Sequence, residues 1–127
     1  MTFEIRYTLN RGSVTLKPKQ PVLDWLKDID KSLGVKGIAS FDPLDEHGDT
    51  FLIPSEPVID TRDESVAWVE ANWQDFLEFE LGQWILDDTL WPQNPTLQLF
   101  RDWFDIEYHS MVWDLGAEPL QHEDWLV

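Results

Sequence analysis

The sequence predicts an α+β fold, a mostly antiparallel sheet of about four strands with three helices packed on one side. Three observations carry this. Apolar and polar residues alternate with period two near the N-terminus, two helical segments follow one another in the middle, and a second alternating run returns after them. The 127 residues bound the chain to one domain, 1–127, long enough to bury a core without a disulfide or metal staple.

Phe3, Ile5, Tyr7 and Leu9 alternate with polar neighbours, and Val14 and Leu16 do so after Asn10-Arg11-Gly12-Ser13. This predicts two strands joined by a turn, with Gly12 free to take positive φ. Lys17-Pro18 stops the second strand and Pro21 opens a helix. Val22, Trp25, Leu26, Ile29 and Leu33 fall at helical spacing within it, and Gly34 lies just past its end. Residues 35–49 read as a loop, and Thr50 to Ile53 as a short strand closed by Pro54 and Pro57. A long helix from about Asp63 to about Ile85 follows, its first turn carrying Asp63 and Glu64 at the positive end of the helix dipole. Asn94-Pro95 reads as cap and first residue of a shorter helix through Trp103. A last strand, Phe104 to Trp113, sets Phe104, Ile106, Tyr108 and Val112 against Asp105, Glu107, His109 and Met111 on its other face. Residues 114–127 read as a tail. The expected core comprises Trp25, Trp73, Phe76, Leu77, Trp84, Phe100, Trp103, Ile106 and Tyr108, each on the apolar side of its element.

Composition narrows the function classes. Eight Trp and 43% hydrophobic residues exclude an intrinsically disordered chain. A formal charge of −16 excludes electrostatically driven nucleic-acid binding, which needs cationic side chains at the phosphates. The absence of cysteine excludes disulfides, thiol catalysis and Cys-based zinc sites. No apolar run reaches the length of a membrane span and the N-terminus lacks a signal peptide's apolar stretch, so the expected location is the cytoplasm. The charge is also uneven. Residues 1–55 carry seven Lys and Arg against eight acids, a net of −1, whereas residues 56–127 carry two against seventeen, a net of −15. Such an excess keeps an aromatic-rich domain in solution, or it complements a basic partner.

The order of four motifs, Val14-Thr15-Leu16-Lys17-Pro18-Lys19-Gln20-Pro21 with Leu23-Asp24-Trp25-Leu26, Phe51-Leu52-Ile53-Pro54, Leu90-Trp91-Pro92 and Phe100 to Met111, resembles a family of small uncharacterised bacterial proteins. The resemblance spans most of residues 10–115. It implies a bacterial, cytoplasmic origin, and because the family carries no assigned activity it transfers no functional residue. The segment Phe3–Leu9 departs from the family pattern.

The long helix holds the residues that point to chemistry. At one hundred degrees per residue, Val66, Val69, Trp73, Phe76, Leu77 and Trp84 form one apolar stripe, and Glu80 projects into it. A carboxylate so placed loses solvation and needs a cation or several donors, for which Arg101 and then His109 are the expected partners. It is a paired structural carboxylate, a carboxylate that reaches water where the helix bends near Gly82, or an acid with a raised pKa in a pocket. The opposite face carries Trp68, Asn72, Asp75 and Phe79, with Glu78 beside them. Aromatics mixed with acids form a docking strip for a basic, amphipathic partner unless another element covers them. Asp105, Glu107 and His109 share a strand face at about 6.5–7 Å per step, so His109 with Glu107 offers a base and its orienter, two ligands of a metal, or else a solvated polar face. Loop 42–49 gathers Asp42, Asp45, Glu46, His47 and Asp49, but its spacing departs from a calcium loop and it is expected to bind no metal. No Gly-rich phosphate cradle occurs, and no cofactor is expected.

Three function classes follow: an acidic interaction module that binds a basic protein surface through Trp68, Asp75, Glu78 and Phe79; a small enzyme using Glu80, Glu107 or His109; and a divalent-metal-responsive domain using loop 42–49. The first is preferred because charge asymmetry and aromatic placement support it together, whereas each alternative rests on one motif.

Overall fold

Val14 and Leu16, two residues apart on one face of a strand, are both fully buried, and the sheet is built around them. The computed structural model describes residues 7–33 and 48–125. In chain order these form β1 (Tyr7–Thr8), β2 (Ser13–Pro18), α1 (Gln20–Leu33), β3 (Asp49–Leu52), α2 (Arg62–Ala71), α3 (Trp73–Trp84), a 3-10 turn (Asp88–Leu90), α4 (Leu97–Trp103), β4 (Phe104–His109) and β5 (Trp113–Asp114). The α+β class holds, with every strand pair among the described residues antiparallel. The counts differ from the expected four strands and three helices: the described strands number five, in two sheets, and the α-helices four.

Strand β2 is the centre of a three-stranded sheet, with β3 on one side and β4 on the other. Val14 pairs with Phe51 and Tyr108, and Leu16 with Asp49 and Ile106, so these residues share the face that meets the helices. Thr15 and Lys17 point the other way, where the two hydroxyls of Thr15 and Thr50 bond at 2.9 Å and Lys17 meets Glu107 at 3.0 Å. Pro18 lacks an amide proton and ends the strand; the next amide, Lys19, donates to the Trp103 carbonyl at 2.8 Å and so seats the start of α1 against the end of α4.

The expected hairpin between the first two strands does not form. β1 pairs instead with β5 as a separate two-stranded ribbon, Tyr7 opposite Asp114, and the Leu9 amide reaches the Val112 carbonyl at 2.8 Å. Phe3 and Ile5 lie outside the described residues, as do Gly34 and residues 35–47. Gly12 is required by space rather than by positive φ: a Cβ there would sit 2.9 Å from the His109 carbonyl oxygen. The last strand stops at His109 and resumes only at Trp113, because after His109 the chain leaves β2 to join β1.

Three further expectations are corrected. The helix expected over 63–85 is two helices, broken at Asn72 (φ −116°, ψ 24°). The Asn72 amide donates to Val69 O and its side-chain Nδ2 to Trp68 O at 2.9 Å, so this residue closes α2 by satisfying its terminal carbonyls. The cap of α4 is Thr96, whose hydroxyl accepts from Leu99 N at 3.1 Å; Asn94 instead takes the left-handed region at φ 53°, which asparagine tolerates. Finally, the core is mainly aliphatic. Of the nine residues expected inside, Leu77 and Phe100 are buried and the other seven are half-buried around a centre of Val14, Leu16, Val22, Leu26, Val69 and Leu81. Indoles are large enough that they are rarely enclosed completely, and they carry a polar N–H that needs a partner. Trp25 Nε1 finds the Leu90 carbonyl at 3.0 Å and Trp91 Nε1 the Ile85 carbonyl at 2.8 Å.

Candidate functional site

The break at Asn72 places α2 and α3 so that their aromatics meet over the edge strand β3. Trp68 packs against Phe76 with ring centroids 5.8 Å apart, Phe76 against Phe51 at 5.1 Å, and Phe51 against Phe79 at 5.5 Å. The interplanar angles of 77°, 84° and 71° make each contact edge-to-face, the arrangement favoured by the ring quadrupole. The row ends in Phe79, which remains 53% exposed, while Trp68 is half-buried. Together with Asn72 and Asp75 these rings line a shallow notch of about 280 Å³. Asp75 and Glu78 are both exposed. Only Asp75 joins the notch; Glu78 borders a second depression of about 380 Å³ shared with Trp91 and Pro95. The structure thus brings Trp68, Asp75 and Phe79 to one concavity and sets Glu78 beside it.

Glu80 lies on the inner face of α3 with Leu77 and Leu81, and is 3% exposed. Its neighbour is Asp49, which the pairing with Leu16 places on the helix-facing side of β3. Burial, then a hydrogen bond to Asp49, then the like charge of that carboxylate raise the Glu80 pKa to about 9, so its neutral acid form is favoured at neutrality. Its Oε1 has no hydrogen-bond partner. A cavity of about 60 Å³ adjoins the two acids, large enough for water but not for a substrate.

Neither expected partner serves Glu80. Arg101 is engaged by Glu70 through Nε–Oε2 at 2.7 Å and Nη2–Oε1 at 2.9 Å, a bidentate pair that holds the Glu70 carboxyl below its ordinary range and raises the guanidinium. His109 lies exposed at the end of β4, on the sheet face opposite Glu80, with Nε2 at 3.8 Å from Glu107 Oε2. Glu107 is also held by Lys17. Glu80 therefore stands apart from Glu107 and His109, and the three do not form one catalytic constellation.

Of loop 42–49, residues 42–47 lie outside the described residues, and Gly48 and Asp49 precede and open β3. Among the described residues no group of three or more His, Asp or Glu side chains is placed to hold a metal ion. Also among them, no helix is long and apolar enough to cross a membrane. From the sequence, Phe51 is not singled out as a site residue, and Asp49 is placed only in loop 42–49 and not beside Glu80. Asp49 and Phe51 share a face of β3, which extending the alternation of Thr50 to Ile53 back by one residue would have shown.

Compared with family models, with curated proteins and with solved structures, the chain matches none.

Proposed function

We propose that this protein is an acidic protein-interaction module that binds a basic partner surface and performs no catalysis. The observation that carries the reading is the row of edge-to-face rings from Trp68 to Phe79, ending in a half-exposed phenyl ring beside the Asp75 carboxylate. An exposed ring gains from burial in a partner, and flanking carboxylates select and orient a cationic one. The excess of seventeen acids over two cations in residues 56–127 extends that preference over the approach path and disfavours direct contact with nucleic acid. The partner envisaged is a basic, amphipathic protein segment, met in a bacterial cytoplasm.

The test uses a defined probe, a helical peptide with Arg and Leu on one face, followed by stopped-flow at low and high salt. Steering acts on the association rate and fades with salt, whose screening length is about 8 Å at physiological ionic strength. The double change Asp75→Asn, Glu78→Gln is expected to slow association at low salt, and Phe79→Ala to speed dissociation. Phe79 is the better anchor to remove because Trp68 is half-buried and its loss would also disturb Phe76. Binding that ignores salt and all three substitutions would sink the reading.

A further inference from the structure

A cleft of about 450 Å³ lies away from the aromatic notch and has the size of a small-molecule site. Its walls are the chain from Thr8 to Gly12, the segment 53–60, and the turn from Tyr108 to Met111. Three hydrogen bonds fix these walls in place: Leu9 N to Val112 O at 2.8 Å, Ile53 N to Gly12 O at 3.0 Å, and Tyr108 Oη to Ile59 O at 3.3 Å. The missing side chain at Gly12 lets the first wall approach the His109 carbonyl closely.

Arg11 lines this cleft, half-buried. Arg101 is engaged by Glu70, Lys17 by Glu107 and Lys19 by Asp105, whereas Lys27, Lys31 and Arg62 form no ion pair among the described residues but are exposed. Among the described residues the Arg11 guanidinium forms no ion pair and no hydrogen bond, in a chain with 25 acids. A guanidinium without a protein partner leaves five N–H donors to be satisfied by water or by a ligand, in a fork that matches a carboxylate. The Asn10 amide and the hydroxyls of Ser55 and Ser110 line the same cleft and offer neutral hydrogen bonds. Leu9, Ile53, Val58 and Met111 give it an apolar wall, with Val58 59% and Met111 53% exposed. Asp60 also lines the cleft, beyond ion-pair distance of Arg11. That carboxylate and the overall charge of −16 penalise a dianion more than a monoanion.

We propose that this cleft binds a small amphipathic monocarboxylate, with Arg11 on the carboxylate and the apolar wall against its hydrocarbon body. The site is independent of the partner surface at Phe79. The test is a titration of the full-length, ¹⁵N-labelled protein at low salt with hexanoate, and in parallel with hexanol and hexylamine, which share the apolar body but not the charge. Hexanoate is expected to give saturable shifts at Gly12, Ser55, Ser110 and the Arg11 Nε–H. Hexanol should bind about tenfold or more weakly, the usual effect of losing a hydrogen bond to a charged group. Arg11→Gln should abolish the preference for hexanoate, and Arg11→Lys, which keeps the charge but not the fork, should restore part of it. Equal binding of hexanoate and hexanol, shifts that map elsewhere, or no saturation with hexanoate would each overturn the proposal, and these wild-type comparisons stand whether or not a variant folds.

Discussion

Replacing Glu80 by Gln should stabilise the protein, and by an amount that grows with pH. In the unfolded chain a glutamate ionises near 4.5, whereas in the folded protein burial and Asp49 hold this group protonated until about pH 9. Between those values the unfolded state has released a proton that the folded state retains. The contribution of Glu80 to stability is therefore greatest below about 4.5 and falls as pH rises toward 9, where the folded group ionises as well. Two and a half pH units separate 4.5 from neutrality, and each is worth about 1.4 kcal/mol, so the cost near pH 7 is about 3 kcal/mol. Glutamine keeps the volume and cannot ionise. Urea denaturation of both proteins from about pH 5 to about pH 8 is the assay, with midpoints compared at constant slope. The difference in favour of Glu80→Gln should be small at the acid end and approach about 3 kcal/mol near neutrality. Parallel pH profiles for the two proteins would refute the argument, since they would show that Glu80 titrates alike folded and unfolded.

Two glycines are expected to respond in opposite directions. Gly12→Ala would place a Cβ 2.9 Å from the His109 backbone oxygen, and the strands must separate at a cost of roughly 1–3 kcal/mol, measurable by chemical denaturation. Gly82→Ala, within α3, would meet the Trp91 ring at an ordinary 3.6 Å while removing glycine's penalty in a helix, so the melting temperature should rise with a gain of about 1 kcal/mol. Thr96→Ala removes the acceptor for Leu99 N and should cost about 1 kcal/mol in the same denaturation experiment; an unchanged midpoint would show that the hydroxyl does not cap α4.

What the sequence made legible was local. The alternation around Val14 and Leu16 and the four-and-three spacing of Val22, Leu26 and Ile29 identify β2 and α1 because burial on one face writes its own period. The break at Asn72 left no such trace. Leu77, Glu80 and Leu81 still share the inner face of α3, so a continuous wheel and an interrupted one place the same residues inside. Asn94 and Thr96 are both good capping residues two positions apart, and only the backbone decides which one caps. Pairing between distant strands was also hidden: nothing near Tyr7 indicates that its partner is Asp114 rather than the neighbouring β2. The same blindness to distant neighbours assigned Glu80 to Arg101, because the sequence does not show that Glu70 reaches that guanidinium first.

The position of β2 has a consequence for how the chain reaches its native state. Ser13 pairs with Leu52 on one side but with His109 on the other, so the middle of the sheet is closed by a segment made 96 residues later. During synthesis β2 can dock on β3 and α1 early, yet one flank of its backbone stays unpaired until β4 arrives. Pairings between remote segments require the loss of much chain entropy before any contact repays it, which slows folding. Throughout that interval the open flank of β2 is an adhesive edge for any other extended chain. A translation pause before β4 would lengthen this exposure, whereas one placed after it would leave the sheet already sealed.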